Sequence, residues 1–298
     1  MINHVIDKEF LEPADAVGRE GMKKRLLEKH GVFTYETIAR SILSRPIEAY
    51  FLGRGRRYVL VTAAHHALES ITSNIAYLLI DVLCSRMQKG MIKQIDCKLL
   101  LSKYCFVIVP CVNPDGIELR LHGVGNNPLS ERQRRLSGGD FSLWQANGRG
   151  VDLNHNYDFG FSEYKVLEAE RGITAGQGLF SGEYPESEPE SRGVANLVRV
   201  LLPLAVVSLH TQGEVIYSFP TDAAVTRCAI RLSSMCGYTH AAPEDTARYG
   251  GLCDFTGNMG IPSFTYELGL GTNPLPESAI PSIFSRVAES ILLLPTIL

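Results

Sequence analysis

Residues 57–69 of the chain read RYVLVTAAHHALE. The first eight of these residues form an apolar run rich in β-branched side chains, which predicts a buried β-strand. Two histidines and a glutamate follow at positions 65, 66 and 69. In open α/β sheets, sites collect beyond the carboxyl ends of the strands. This stretch therefore predicts a buried strand with a polar site at its end.

After this stretch, apolar runs predict further buried strands at residues 104–112, 205–209 and 263–268. Residues 117–150 show little periodicity and are expected to form a long loop. Helices are predicted at residues 21–30, 35–44 (with Thr34 as N-cap), 70–88, 187–201 (opened by the S-x-x-E capping box of Ser187 and Glu190) and 280–294.

Strands that alternate with helices predict an α/β sheet covered on both faces. A chain of 298 residues is long enough for one such domain or for two smaller ones. No segment has the composition of a linker, so we expect a single domain. Within it, residues 1–50 are expected to form a helical lead-in and residues 51–298 the catalytic core.

The composition is that of an ordinary globular protein, with 45% apolar residues and a formal net charge of −3. This charge gives no case for nucleic acid or a membrane surface as a partner. The seven cysteines are odd in number and irregularly spaced, which favours buried thiols in a reducing compartment. The N-terminal residues do not resemble a secretory signal. We therefore expect a cytoplasmic protein.

His66 and Glu69 form an H-x-x-E motif, whose two side chains lie on one face of a helical turn and can converge on one metal ion. His65 offers an alternative pairing with the same glutamate. A helix-start histidine followed by a glutamate that the helix dipole favours is the structural alternative.

His210 ends a predicted strand in VVSLHTQGE, where it is either a structural hydrogen-bonding residue or a third metal ligand. Two histidines and one glutamate leave a fourth coordination position open for water, as catalytic zinc requires. Glu267 ends another strand in SFTYELG, where a carboxylate is costly to bury without a partner. It is either a surface residue at the sheet edge or the general base that activates the attacking water.

Six motifs occur in one order along the chain and together resemble the zinc metallocarboxypeptidase family. The resemblance implies a central eight-stranded mixed sheet between helices, one Zn²⁺ per chain held by His66, Glu69 and His210, and hydrolysis of an amide bond with Glu267 as the base. The motifs are H-x-x-E at 66–69, NPDG at 113–116, GVDLN-x-N at 150–156, SEPE at 187–190, the strand-final His210, and E-L at 267–268.

The chain departs from the family pattern where the substrate is bound. The family's Asn-Arg clamp for a peptide carboxylate reads Asn154-His155 here, and histidine is a weaker carboxylate ligand than arginine. The oxyanion-stabilising arginine is replaced by Gln145, so either Arg149 or Gln145 is expected to take that role. The family's mobile tyrosine falls near Thr246, with Tyr249 close by.

These departures resemble a bacterial branch of the family, the γ-D-glutamyl–meso-diaminopimelate peptidases. The resemblance implies a muropeptide-derived peptide as substrate. The far end of diaminopimelate carries an ammonium and a carboxylate, which Asp254 and the Asn154-His155 pair, respectively, are expected to bind. A conventional carboxypeptidase with an altered clamp, and a non-catalytic protein that only binds such peptides, are the alternatives.

Overall fold

The computed structural model describes residues 4–31, 33–87, 90–176, 178–242 and 249–298. Ten strands occur in these ranges, and eight of them form one sheet. The strands are β1 (Thr34–Arg40), β2 (Pro46–Leu52), β3 (Arg57–Ala63), β4 (Met91–Ile92), β5 (Ile95–Asp96), β6 (Tyr104–Val109), β7 (Ala205–His210), β8 (Val215–Phe219), β9 (Thr239–His240) and β10 (Ser263–Glu267).

The sheet has the strand order β1-β2-β6-β3-β7-β10-β8-β9, and β4 and β5 form a separate two-stranded ribbon. Strands β6, β3, β7 and β10 run parallel to one another at its centre. Strand β2 pairs antiparallel with β1 and β6, whereas β8 pairs antiparallel with β10 and parallel with β9. The predicted α/β fold with a mixed eight-stranded sheet is therefore confirmed.

Helices cover both faces of the sheet, because alternate residues of the central strands point to opposite sides. Val59 and Val61 of β3 belong to the larger apolar core, whereas Leu60 belongs to the smaller one on the other face. The α-helices are α1 (Ala16–Lys29), α2 (Ile71–Arg86), α3 (Cys97–Lys103), α4 (Pro114–His122), α5 (Ser130–Ser137), α6 (Phe161–Arg171), α7 (Pro189–Leu201), α8 (Ala223–Cys236), α9 (Leu252–Asn258) and α10 (Ile280–Leu293).

The prediction of a helix at residues 35–44 is wrong. The segment forms strand β1, which begins at Thr34 and pairs antiparallel with β2. The expected lead-in at residues 1–50 is thus helical only in its first part, up to Lys29. Strand β1 lies at the sheet edge with mostly exposed side chains, so it lacks the apolar alternation by which a half-buried strand is recognised.

Two further local predictions are corrected. Residues 117–150 are not a continuous loop, because they contain most of α4 and all of α5. Helix α7 begins at Pro189, and its N-cap residue is Glu188 instead of Ser187. The Ser187 hydroxyl donates a hydrogen bond to the Glu188 carboxylate, so it does not cap the helix. The predicted helices at 70–88 and 280–294 correspond to α2 and α10.

All seven cysteines are buried and have free thiols, as expected. Burial raises the pKa of the Cys84, Cys228 and Cys253 thiols to about 11 to 12, so these groups are neutral. In the part of the chain that is described, no helix is long and apolar enough to span a bilayer.

Candidate metal centre

The candidate site lies at the carboxyl ends of three neighbouring parallel strands. His66 follows β3, His210 is the last residue of β7, and Glu267 is the last residue of β10. Glu267 lies directly opposite His210 in the register of β10 and β7. The sheet therefore brings together residues that are 57 to 201 positions apart in the sequence.

The side chains of His66, Glu69 and His210 converge on one point. The Nδ1 atom of His66 lies 3.0 Å from Oε1 of Glu69, and the Nδ1 atom of His210 lies 3.0 Å from Oε2 of the same carboxylate. The potential ligand atoms of all three residues lie within 4.8 Å of one another. Ligand atoms of a tetrahedral zinc ion are separated by about 3.3 Å, since zinc–nitrogen and zinc–oxygen bonds are about 2 Å long. The three residues therefore fit a zinc ion.

In both His66 and His210, the second ring nitrogen, Nε2, also has a hydrogen-bond partner. Nε2 of His66 lies 3.2 Å from Oδ1 of Asp152, and Nε2 of His210 lies 3.0 Å from Oγ of Ser208. Such partners fix the orientation of a metal-binding imidazole and leave the other nitrogen for the metal. Neither Asp152 nor Ser208 was predicted from the sequence, although Asp152 lies inside the GVDLN motif.

Asp152 is fully buried and accepts several hydrogen bonds. Gln145 donates to it through Nε2 at 2.6 Å, and the backbone N–H groups of Asn154 and Leu179 each lie 3.0 Å away. Burial opposes ionisation of this carboxyl, but the charge of His66 and the hydrogen bond to it hold the pKa of Asp152 well below its usual value. Asp152 is therefore a carboxylate at neutral pH.

His65, the alternative ligand, lies outside the group. Its side chain is fully buried, and its Nε2 lies 2.9 Å from the hydroxyl of Tyr157. Burial, together with the neighbouring His210 and His66, lowers the pKa of His65 well below its usual value. It is a neutral histidine of the interior that stacks on the ring of His210.

Glu267 is a half-buried carboxyl beside the three converging side chains. Burial and the negative charge of Glu69 raise its pKa to about 7, while His210 and His66 act in the opposite direction. A carboxyl with a pKa near neutrality can both accept and donate a proton at physiological pH.

The two residues predicted to stabilise an oxyanion are engaged in other contacts. The Arg149 guanidinium forms a two-pronged ion pair with Glu188, with Nε–Oε2 and Nη2–Oε1 distances of 3.0 Å. Gln145 donates its amide to Asp152. Each side chain thus already contacts a carboxylate of the protein, and its role in stabilising an oxyanion stays a prediction.

The predicted substrate-binding residues surround the loop that precedes α9. His155 is only 7% exposed, stacks on Tyr164 at a centroid distance of 4.1 Å, and has its Nδ1 3.0 Å from the carbonyl oxygen of Tyr249. Burial lowers the pKa of His155, so its ring is neutral at pH 7. The Oδ1 atom of Asn154 accepts a hydrogen bond from the N–H of Leu252 at 3.2 Å.

Asp254 lines a cavity of about 590 Å³ together with Phe159 and Phe219. A Cβ atom placed on Gly251 would lie 2.8 Å from Oδ2 of Asp254 and 3.8 Å from Oδ1 of Asn154. The side chains of Asp254 and Asn154 thus both lie close to Gly251. Thr246 lies outside the described residues, so its predicted position is not assessed.

The sequence profile of zinc carboxypeptidases (peptidase M14) matches residues 21–290. The chain belongs to this family. His66, Glu69 and His210 form the group that could hold the zinc ion on which this family of peptidases depends.

Relatives of the chain include a bacterial gamma-D-glutamyl endopeptidase and a murein peptide amidase. The chain is 30% identical over 255 residues to gamma-D-glutamyl-L-diamino acid endopeptidase 1 of Lysinibacillus sphaericus, covering 84% of the chain but only 64% of that relative. It is 32% identical over 110 residues to murein peptide amidase A of Escherichia coli, covering 35% and 34% of the two proteins.

Solved structures of carboxypeptidases share the fold. The structure of thrombin-activatable fibrinolysis inhibitor superposes with a TM-score of 0.76 at 19% identity, covering 98% of this chain and 75% of that structure. At this identity the match supports the architecture alone.

Proposed function

We propose that this zinc peptidase hydrolyses an amide bond in peptides derived from the bacterial cell wall, and specifically the bond between γ-D-glutamate and meso-diaminopimelate. The observation that carries the proposal is the charge of the substrate-binding side. At the position of the family's cationic clamp stands a buried, neutral histidine, and a carboxylate lines the adjoining cavity. The similarity to a γ-D-glutamyl endopeptidase and to a murein peptide amidase agrees with this substrate class.

The proposed mechanism assigns a separate task to each group of residues. Zinc, when bound, supplies a water that loses its proton near neutral pH and polarises the scissile carbonyl. His66, Glu69 and His210 would hold the ion, and Asp152 and Ser208 would orient the two imidazoles. Glu267 would accept a proton from the attacking water and deliver it to the leaving amine, for which a pKa of about 7 is suited.

The far end of diaminopimelate explains why a neutral clamp is useful. This side chain ends in both an ammonium and a carboxylate, so an arginine clamp would attract one group and repel the other. Asp254 would pair with the ammonium, whereas the amide of Asn154 would hold the carboxylate by a neutral hydrogen bond. A conventional C-terminal residue does not carry both an ammonium and a carboxylate at the end of its side chain.

The test compares the purified zinc protein on L-Ala-γ-D-Glu-meso-Dap, hippuryl-Phe and hippuryl-Arg. We expect the muropeptide to have the highest kcat/KM, with release of meso-diaminopimelate. Faster cleavage of the hippuryl substrates would favour the conventional carboxypeptidase and reject the proposal. Asp254→Asn should lower kcat/KM for the muropeptide but not for hippuryl-Phe. Asp140→Asn, which changes an exposed aspartate in the same way, should affect neither.

A further inference from the structure

His155 stands where the family pattern has the clamp arginine, and the two nitrogens of its ring have different surroundings. Nδ1 lies 3.0 Å from the carbonyl oxygen of Tyr249. For Nε2, no hydrogen-bond partner occurs among the residues that the structure describes, and Nε2 is not one of the buried polar atoms that lack a partner there. Nε2 is therefore the nitrogen that a ligand can reach.

The contact with Tyr249 decides which nitrogen of the His155 ring carries the proton. A carbonyl oxygen can only accept a hydrogen bond, so Nδ1 must be the donor. Burial lowers the pKa of His155, and a neutral imidazole has a single N–H group. Nε2 therefore carries a lone pair and no proton. It can accept a hydrogen bond from an ammonium or another N–H group, but it cannot donate one to a carboxylate.

The orientation of the His155 ring is fixed by its neighbours. The ring stacks on Tyr164 with a centroid distance of 4.1 Å and an interplanar angle of 9°. The Tyr164 hydroxyl in turn donates a hydrogen bond of 2.8 Å to the carbonyl oxygen of Leu179. A ring turned by 180° would present a carbon atom to the Tyr249 carbonyl in place of Nδ1, so the hydrogen bond to Tyr249 favours the observed orientation.

Asn154, the preceding residue, supplies the opposite kind of hydrogen-bonding group. Its Oδ1 accepts the hydrogen bond from the N–H of Leu252, which identifies its other terminal atom as the amide nitrogen Nδ2. Within the described part of the chain, Nδ2 of Asn154 donates no hydrogen bond. Residues 154 and 155 therefore present one donor and one acceptor side by side in the sequence.

Asn154 and His155 adjoin the residues around the metal centre. The backbone N–H of Asn154 donates to Oδ1 of Asp152 at 3.0 Å, and the same oxygen lies 3.2 Å from Nε2 of His66. The charges of Asp152 and His66 both act on the imidazole of His155. The pair is thus close enough to the metal centre to contact a substrate residue next to the scissile bond.

We propose that Asn154 and His155 together recognise an ammonium and a carboxylate that are carried by one carbon atom. Nε2 of His155 accepts a hydrogen bond from the ammonium, and Nδ2 of Asn154 donates one to the carboxylate. This inference rests on the function proposed above, since the far end of meso-diaminopimelate is such a group. It divides between two residues a task that the sequence assigns to them jointly, and it makes His155 the residue that selects the ammonium.

An arginine at position 155 would have the opposite preference. Its guanidinium has five N–H donors and no acceptor, and its positive charge repels an ammonium. The negative charge that balances the ammonium comes from Asp254, whose Oδ2 lies close to the same Gly251 as the side chain of Asn154. The chain would thereby distinguish an end group with both charges from one with a carboxylate alone.

The experiment uses two substrates that differ in one group, L-Ala-γ-D-Glu-meso-Dap and its L-2-aminopimelate analogue, in which hydrogen replaces the far ammonium. We expect the parent protein to prefer the meso-Dap peptide. His155→Phe keeps a ring to stack on Tyr164 but has no acceptor, so it should lose about 10- to 100-fold in kcat/KM on the meso-Dap peptide with little change on the analogue. His155→Arg should prefer the analogue. His122→Phe, the same change at an exposed histidine, should keep the preference of the parent protein.

The protonation of the His155 ring is measured in parallel by nitrogen-15 NMR of zinc-loaded Glu267→Gln protein, with the signals assigned by comparison with the same protein carrying His155→Phe. We expect a protonated Nδ1, an unprotonated Nε2, and a shift of the Nε2 signal when the meso-Dap peptide binds. Thermal melts of each variant check the fold. A protonated Nε2 in the free protein, or equal losses of rate on both peptides in folded His155→Phe, would overturn the proposal.

A failure of the proposed function can be told apart from a failure of this inference. If the parent protein cleaves hippuryl substrates but neither muropeptide, the proposed function fails. Titration of the labelled protein with free meso-diaminopimelate and with pimelate then decides the inference by itself. A shift of the His155 Nε2 signal with the first compound alone supports recognition of the ammonium, and the same response to both compounds rejects it.

Discussion

The carboxyl of Glu267 lies beside the metal-binding side chains without being one of them, so its proton transfer can be removed without removing the ion. We expect Glu267→Gln to lower kcat by about 10²- to 10⁴-fold, because a glutamine cannot accept the proton of the attacking water. Zinc content should stay near one per chain, measured by atomic emission. Glu36→Gln, the same change on an exposed residue of β1, is the control. Loss of zinc along with activity would contradict the assignment of Glu267 as the base.

Asp152 would affect zinc binding indirectly, because its carboxylate contacts the imidazole of His66. Asp152→Asn keeps the size of the side chain but removes the charge that the His66 imidazole faces. We expect zinc affinity to fall about 10- to 100-fold, measured by competition with a chromophoric chelator. Asp140→Asn should bind zinc like the parent protein. An unchanged affinity for Asp152→Asn would mean that His66 is not held in place by this carboxylate.

Residue spacing reveals only part of such a site. The H-x-x-E spacing and a histidine directly after an apolar strand draw attention to His66, Glu69 and His210, and the structure brings these side chains together. The pairing of Arg149 with Glu188 could not be predicted, because it depends on how two loops approach each other. The burial that makes His155 neutral is likewise a property of the folded chain.

Two helices contain a glycine at which the same substitution should have opposite effects. A methyl group at Gly21 of α1 would meet no other atom within 4 Å, so Gly21→Ala should stabilise the protein by about 0.5–1 kcal/mol. At Gly193 of α7, the new Cβ would lie 2.4 Å from the Cβ of Ala39, so Gly193→Ala should force α7 away from β1 and destabilise the protein. Urea unfolding of both variants measures the difference. A stabilising Gly193→Ala would show that α7 does not pack closely on β1.

The first turn of α7 contains a carboxyl that should make stability depend on pH. Glu190 is fully buried, and burial together with the nearby charges of Glu188 and Asp115 raises its pKa from 4.5 to about 8. A carboxyl whose pKa rises on folding contributes its full stability below about pH 4.5 and loses it as the pH rises towards 8. Glu190→Gln should therefore be more stable than the parent at pH 8, by about 1 kcal/mol or more, and similar to it at pH 4.5.

The measurement for Glu190 is a series of urea unfolding curves from pH 4.5 to 9. Glu36→Gln, on an exposed position, should follow the parent at every pH. If the Glu190→Gln and parent curves run parallel across this range, the buried carboxyl does not retain its proton on folding.

Elements buried on both faces were predicted more reliably than exposed ones. Strand β7 is buried along its whole length and is visible in the sequence as a continuous apolar run. Strand β1 is mostly exposed, and only its pairing with β2 makes it a strand. Residues 35–44 therefore resembled a helix, because local spacing carries no information about a partner strand.

At the scale of the whole molecule, the metal centre brings together three residues that lie far apart in the sequence. An ion bound there stabilises the folded state, since the unfolded chain does not preserve the arrangement of His66, Glu69 and His210. We expect removal of zinc by a chelator to lower the thermal midpoint. Zinc at about 100 times its dissociation constant should restore about 2.7 kcal/mol. His210→Ala should show no such shift with zinc, whereas Glu267→Gln should show the full one.

Family membership could be predicted from the order of six short motifs, and the profile match confirms it. The chain-wide order was informative because four of the motifs, at 66–69, 113–116, 210 and 267–268, end or follow the parallel strands β3, β6, β7 and β10 at one edge of the sheet. The substrate was harder to infer from the sequence, since it depends on departures from the family pattern whose consequences appear only in three dimensions.

Strands β3, β7 and β10 are interior neighbours, with paired strands on either side. Interior strands exchange their amide hydrogens last, because they open only when the whole domain unfolds. The metal-binding residues and Glu267 therefore lie at the ends of the strands that open most slowly, while the loops around them lie at the edge of the sheet. Insertions, deletions or recombination in those loops can change which substrates bind without disturbing the catalytic residues. One ancestral scaffold can therefore give rise to enzymes with different substrates.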